Sequence, residues 1–138
     1  MRAFFPECYF HKIEDAWKGI GFPDIHHKIV LDELILKSVA YEQLIILKMM
    51  DRIDPERSLS FSDRYSFFCH LLKKWLGIID ENKISLVISP GIPHMVFDYA
   101  LYIAAKIRDI EFITFHRVPF SDSSIILDDI ETLPDYLF

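Results

Sequence analysis

Apolar and polar positions change rhythm several times along this chain, and the sharpest sequence of changes spans residues 84–115. Residues 84–89 form a short apolar run closed by Pro90 and Gly91, the pattern of a buried strand bounded by turn residues. Residues 93–108 then repeat at steps of three and four. Val96, Ala100, Ile103, Ala104 and Ile107 share one helical face. Residues 110–115 are a second apolar, β-rich run. Strand, helix and strand over about thirty residues predict a βαβ unit with parallel strands and a right-handed crossover. In an open α/β sheet, ligands meet the carboxyl ends of the strands. That edge holds Ser89, Pro90, Gly91, Ile92, Pro93 and His94, with His116 and Arg117 at the end of the second strand.

Upstream, the helical rhythm dominates. Residues 28–52 carry the longest pattern, through Ile29, Val30, Leu34, Ile35, Val39, Leu44, Ile45, Leu47, Met49 and Met50. Glu33 and Lys37 are spaced to pair on its exposed side. The apolar sector is too wide for one buried face, so cover is expected from the sheet, another helix or another chain. Its polar side is mixed rather than basic, which argues against a membrane-surface helix. Ser60 and Asp63 predict the start of a further helix over 63–79. Tyr65, Phe68, Cys69, Leu72, Trp75, Leu76 and Ile79 form its core stripe. A short helix over 12–18 should end at Gly19 and Gly21. Short strands are expected at 2–5 and 124–127.

Composition narrows the class. At 138 residues the chain suffices for one domain with its own core, and half of it is hydrophobic, with twelve Phe. Acidic residues outnumber basic ones, 21 to 15, and no basic block is present, which excludes a nucleic-acid clamp. No stretch of eighteen residues lacks a charge, so no membrane span is expected. The N-terminus lacks the uninterrupted apolar core of a signal peptide. Cys8 and Cys69 are isolated, with no metal spacing, and are expected to be free thiols in a reducing cytoplasm. His26 and His27 point to different sides of any helix and have no third ligand at a usual spacing. They are expected at a helix start, and no metal site is predicted.

His94 is the sharpest chemical candidate. It follows Pro93, a residue suited to the first helical position, at the carboxyl edge of the sheet and beside free helix amides. An imidazole there can serve as a general base, or donate a hydrogen bond to a sugar or phosphate. The alternative is a histidine that packs the loop. Asp98, one helical turn on, either orients His94 or is an ordinary first-turn acid. Tyr99 and Tyr102 are expected to pack with their hydroxyls in water. His116 and Arg117 stand where a substrate anion could be met, or form a surface pair. No GxGxxG, GxxxxGK, GxSxG or HExxH motif occurs.

Several segments together resemble bacterial capsular polysaccharide biosynthesis proteins, which are glycosyltransferase-like enzymes of two-domain GT-B architecture. They are KMMDRID at 48–54, FSDRYSFF at 61–68, Trp75, and LVISPGIPHMVFDYALYIAAKIRDIEFITF at 86–115. Pro93-His94, Asp98-Tyr99, Leu101-Tyr102 and Ala104 carry most of the likeness, which covers residues 35–131. The resemblance implies a Rossmann-like three-layer α/β domain with a small parallel sheet and long N-terminal helices, one domain over 1–138. It would be the acceptor-side, N-terminal part of a larger cytoplasmic enzyme, inactive alone. A second domain would bind the nucleotide sugar, and a saccharide acceptor would meet this one. Carried onto this chain, His94 and Asp98 would be catalytic, and Gly91, Pro93, His116 and Arg117 would bind substrate. No cofactor is implied. Two other readings stand beside it. One is a non-catalytic α/β interaction module or homo-oligomer. The other is a small hydrolase or isomerase built on His94 and Asp98, for which no nucleophile motif is present.

Overall fold

The computed structural model describes residues 11–26, 28–117, 123–128 and 130. The order is α1 (Ile13–Trp17), α2 (Glu33–Ser38), α3 (Ala40–Ile53), α4 (Phe61–Asn82), β1 (Leu86–Ser89), α5 (Val96–Ile107), β2 (Glu111–Arg117) and β3 (Ser124–Leu127). The strand expected at 2–5, Cys8 and His27 lie outside the described residues.

The βαβ unit is present. β1 and β2 pair in parallel, with Val87 opposite Phe112 and Ser89 opposite Thr114. β3 then pairs antiparallel to β2, with Thr114 opposite Leu127 and Arg117 opposite Ser124. The sheet has the order β1-β2-β3 and is mixed, where a small parallel sheet was expected.

Local chemistry fixes the helix ends. At α4, Ser60 Oγ accepts from the Asp63 amide, and the Asp63 carboxylate accepts from the Ser60 amide at 3.0 Å, a reciprocal capping box. Three helices close alike, each with a residue in left-handed conformation followed by an isoleucine whose amide reaches back five residues. The pairs are Gly19-Ile20, Lys83-Ile84 and Asp109-Ile110, and the acceptors are the carbonyls of Asp15, Ile79 and Ala105. These closures shorten the strands. Ile84 and Ile110 finish helices, so β1 begins at Leu86 and β2 at Glu111.

The single helix expected over 28–52 is two. Val39, buried, breaks it with φ −119° and ψ 25°. Ser38 Oγ donates to the Ile35 carbonyl, and Gln43 Nε2 takes the Leu36 carbonyl, so side chains satisfy groups that a continuous helix would have used. Residues 28–31 are not helical, and His26 starts no helix; its amide donates to Glu81 instead. The expected Glu33–Lys37 pair is formed, at 2.6 Å.

The core centres on α5. Ala100, Ile103, Ala104 and Ala105 are wholly buried, against Phe68, Leu71, Leu72 and Leu76 of α4 and Ile46 and Met50 of α3. Each of the large side chains contributes on the order of 2 kcal/mol through the apolar area it removes from water. Small residues on α5 let α4 come close. Polar ties lock the packing: Arg108 grips Asp80 with two bonds of 2.7 Å, Trp75 Nε1 donates to the Phe97 carbonyl, and Lys106 meets the buried Glu42 at 2.5 Å. Tyr99 and Tyr102 are buried, and Tyr102 sets its ring against Phe112 at 5.3 Å.

Ladder partners point to the same side of a sheet. Phe112, Thr114 and Leu127 therefore face the helices and are buried, with Val87 beside them. Leu86, Ile88, Ile113, Phe115 and Ile126 face the other way. Ile88 is 60% exposed and Ile126 63% exposed. Among the described residues, helices cover one face only, where three layers were expected.

Candidate functional site at the end of the first strand

Parallel pairing of β1 and β2 sets their carboxyl ends on one edge. From that edge the chain turns through Ser89 to Met95. Ser89 Oγ donates to the Gly91 carbonyl at 2.6 Å, which tightens the turn. A side chain added at Gly91 would meet no protein atom within 4 Å, so this position opens onto free space. Pro93 is buried and anchors the loop.

His94 is exposed. The helix begins later than the proline suggested: Met95 is the N-cap of α5, and Pro93 and His94 precede it. The His94 ring places Nδ1 2.9 Å from the Ile92 carbonyl. A carbonyl only accepts, so the neutral ring carries its proton on Nδ1 and presents Nε2 as the acceptor. That is the nitrogen a general base would use.

Asp98 holds the backbone beneath this ring. Its carboxylate accepts from the Met95 amide at 2.8 Å and from the His94 amide at 3.3 Å. Burial pushes the Asp98 carboxyl above its ordinary value, and the amides of His94, Met95 and Tyr99 pull it partly back. These bonds go to the main chain. Asp98 thus fixes where the His94 backbone sits, and the Ile92 carbonyl sets the ring.

A further contact was not foreseen in the sequence. Arg52, at the end of α3, donates from Nη2 to the His94 carbonyl at 2.7 Å. It lies 42 residues away, and no local pattern announces it. Between α3 and the loop is a cleft of about 150 Å³, lined by Met49, Arg52, Ile53, His94, Met95 and Val96. That is less than the ~300 Å³ of a typical complete ligand pocket. His116 is half-buried on the helix side of β2 and Arg117 exposed on the bare side; neither lines this cleft.

The DRID and FSDR segments are brought together beside it. Arg64 bridges Asp51 and Asp54, with 3.0 Å to Asp54. Asp54 is buried and accepts from Ser58 Oγ at 2.7 Å and from the amides of Ser58 and Leu59, both at 2.9 Å. Those bonds hold its carboxyl far below the usual range. The cluster organises the α3–α4 turn.

Other groups carry less chemistry. Cys69 has its thiol pushed up by burial, which disfavours the nucleophilic thiolate. A larger cavity of about 490 Å³ lies at the opposite end of α4, between Pro23, Asp24, Trp75 and Glu81. Among the described residues, no three His, Cys, Asp or Glu side chains gather as metal ligands, and no helix is long and apolar enough to cross a membrane. No protein-family model, curated protein or solved structure matches this chain.

Proposed function

We propose that this chain is the acceptor-side α/β domain of a glycosyltransferase-like protein of surface polysaccharide biosynthesis. The observation that carries the proposal is the exposed His94, held at the carboxyl end of a parallel strand with Nδ1 engaged by the Ile92 carbonyl, which leaves Nε2 as the basic nitrogen. In α/β proteins that edge is where ligands bind. The segments that resemble capsule enzymes coincide with the parts that build it: Arg52 from KMMDRID grips the His94 carbonyl, and the long 86–115 segment is the βαβ unit. The cleft has room for an edge of one sugar, as expected of half a site that a nucleotide-sugar domain completes across an interdomain gap. His94 would take a proton from the acceptor hydroxyl as it attacks the anomeric carbon, with the nucleoside diphosphate leaving. Gly91 leaves room for the acceptor, while Arg117, on the bare side of β2, lies outside this cleft and takes no part. Asp98 would position rather than react.

The test uses two variants of the domain joined to its donor-binding partner domain. His94→Ala should lower turnover about a hundredfold, as for loss of a general base, with the urea midpoint unchanged. Asp98→Ala should cost about 1 kcal/mol of stability through the lost cap. Normal turnover per folded molecule in His94→Ala would overturn the proposal. The bare sheet face favours a second reading, a non-catalytic interaction module. It predicts no saccharide-dependent change in the NMR shifts of residues 90–95.

A further inference from the structure

We infer that the bare face of the sheet is a self-association surface, on which a second copy of this chain packs face to face with its β2 antiparallel to the first. The face is apolar where it should be wet. Leu86 and Ile88 of β1, Ile113 and Phe115 of β2 and Ile126 of β3 share it, and Ile88 and Ile126 are mostly exposed. A contiguous apolar surface of this size is often functional.

The charges choose the occupant. On the bare side β2 reads Glu111, Ile113, Phe115, Arg117, an acid at one end and a base at the other with two apolar residues between. Turned end for end, that row matches itself. Glu111 of each copy meets Arg117 of the other, and Ile113 meets Phe115. The neighbouring strands fit the same two-fold axis, the symmetry of an isologous dimer. Ile88 lies level with Ile113, and Ile126 lies level with Phe115, on opposite flanks of β2. After the rotation, each flanking isoleucine fills the side that the other copy leaves empty. The alternative with parallel β2 strands sets Glu111 on Glu111 and Arg117 on Arg117, and like charges oppose it.

The size sets the strength. Three strands and the seven residues of β2 give a footprint of roughly 14 by 23 Å. That is well under the ~800 Å² per partner of a standard interface, so the dimer is reversible and concentration-dependent.

Sedimentation equilibrium on the full chain over a range of concentrations tests this, with far-UV circular dichroism to confirm folding. The wild-type chain should dimerise, more weakly at high salt. Ile88→Asp should abolish association. Glu111→Arg and Arg117→Glu, made singly, should each weaken it about tenfold or more, because every substitution acts twice across the axis. The double variant Glu111→Arg, Arg117→Glu restores complementarity and should recover dimerisation. A monomer at every concentration would overturn the inference, as would a dimer indifferent to Ile88→Asp or a double variant no better than the singles. None of these readouts involves His94, so the proposed transferase role stands or falls separately.

Discussion

Individual residues do two kinds of work here, and Asp54 separates them. It sits at the end of α3, buried, and its carboxylate collects two amides, a hydroxyl and the Arg64 guanidinium. The amide of Leu59 and the hydroxyl of Ser58 are the leading reasons its carboxyl falls far below the usual range. A depressed carboxylate stabilises the fold fully above its unfolded value, about 3.9, and that contribution is lost as pH falls toward the folded value. Asp54→Asn should therefore lower the urea midpoint clearly at pH 7. The gap from wild type should narrow as pH drops below about 4. Equal gaps at neutral and acid pH would refute the assignment. Asp98 shows the opposite sign, since burial raises its carboxyl. What it gives the fold is electrostatically greatest at low pH and declines as pH rises through its raised value. An acid kept in such a place is held for geometry, here the position of the His94 backbone.

At the scale of elements, local signals were legible and distant ones were not. The helix start at Ser60 and Asp63, the βαβ order and the α4 core stripe follow from residues within a few positions of one another, and each is present. Strand starts were misplaced because Ile84 and Ile110 read as strand residues by composition, yet their amides close the preceding helices. The break at Val39 depends on side-chain bonds from Ser38 and Gln43 that compete with the helix, which periodicity does not register. Arg52 and Arg64 act on partners brought near only by the fold. Gly77 tests how far tertiary packing overrides propensity. Replacing glycine by alanine in a helix interior ordinarily stabilises by up to about 1 kcal/mol. Gly77 is buried in α4, and a Cβ there would stand 2.4 Å from Cγ2 of Ile25. Gly77→Ala should reverse the usual sign and cost about 1–3 kcal/mol through overpacking. Adding Ile25→Ala should recover much of that loss. A stabilised single variant in urea unfolding would show that the 21–26 segment does not rest on α4.

Across the whole molecule, packing is uneven, and the unevenness predicts where it opens. α5 is enclosed by α3, α4 and β2, with four residues wholly out of solvent, and its far end is clamped by Arg108 on Asp80. α2 is the contrast. None of its six residues is buried, Leu34 is 78% exposed, and its ties are the Asp32 cap, one surface ion pair and the side-chain bonds of Ser38 and Gln43 to the Ile35 and Leu36 carbonyls. An isolated helix of that length is not stable in water, and a surface pair adds at most about 1 kcal/mol. Amides of α2 should therefore exchange by local fraying, near the rate of an open chain. Those of α4 and α5 should exchange only through global unfolding, with protection that falls in step as urea is added. Hydrogen exchange read by NMR in low urea distinguishes the two regimes. If α2 were protected as strongly as α5, Leu34 would have to be covered. If that protection vanished on dilution, the cover would be another molecule, and the association surface would extend beyond the sheet.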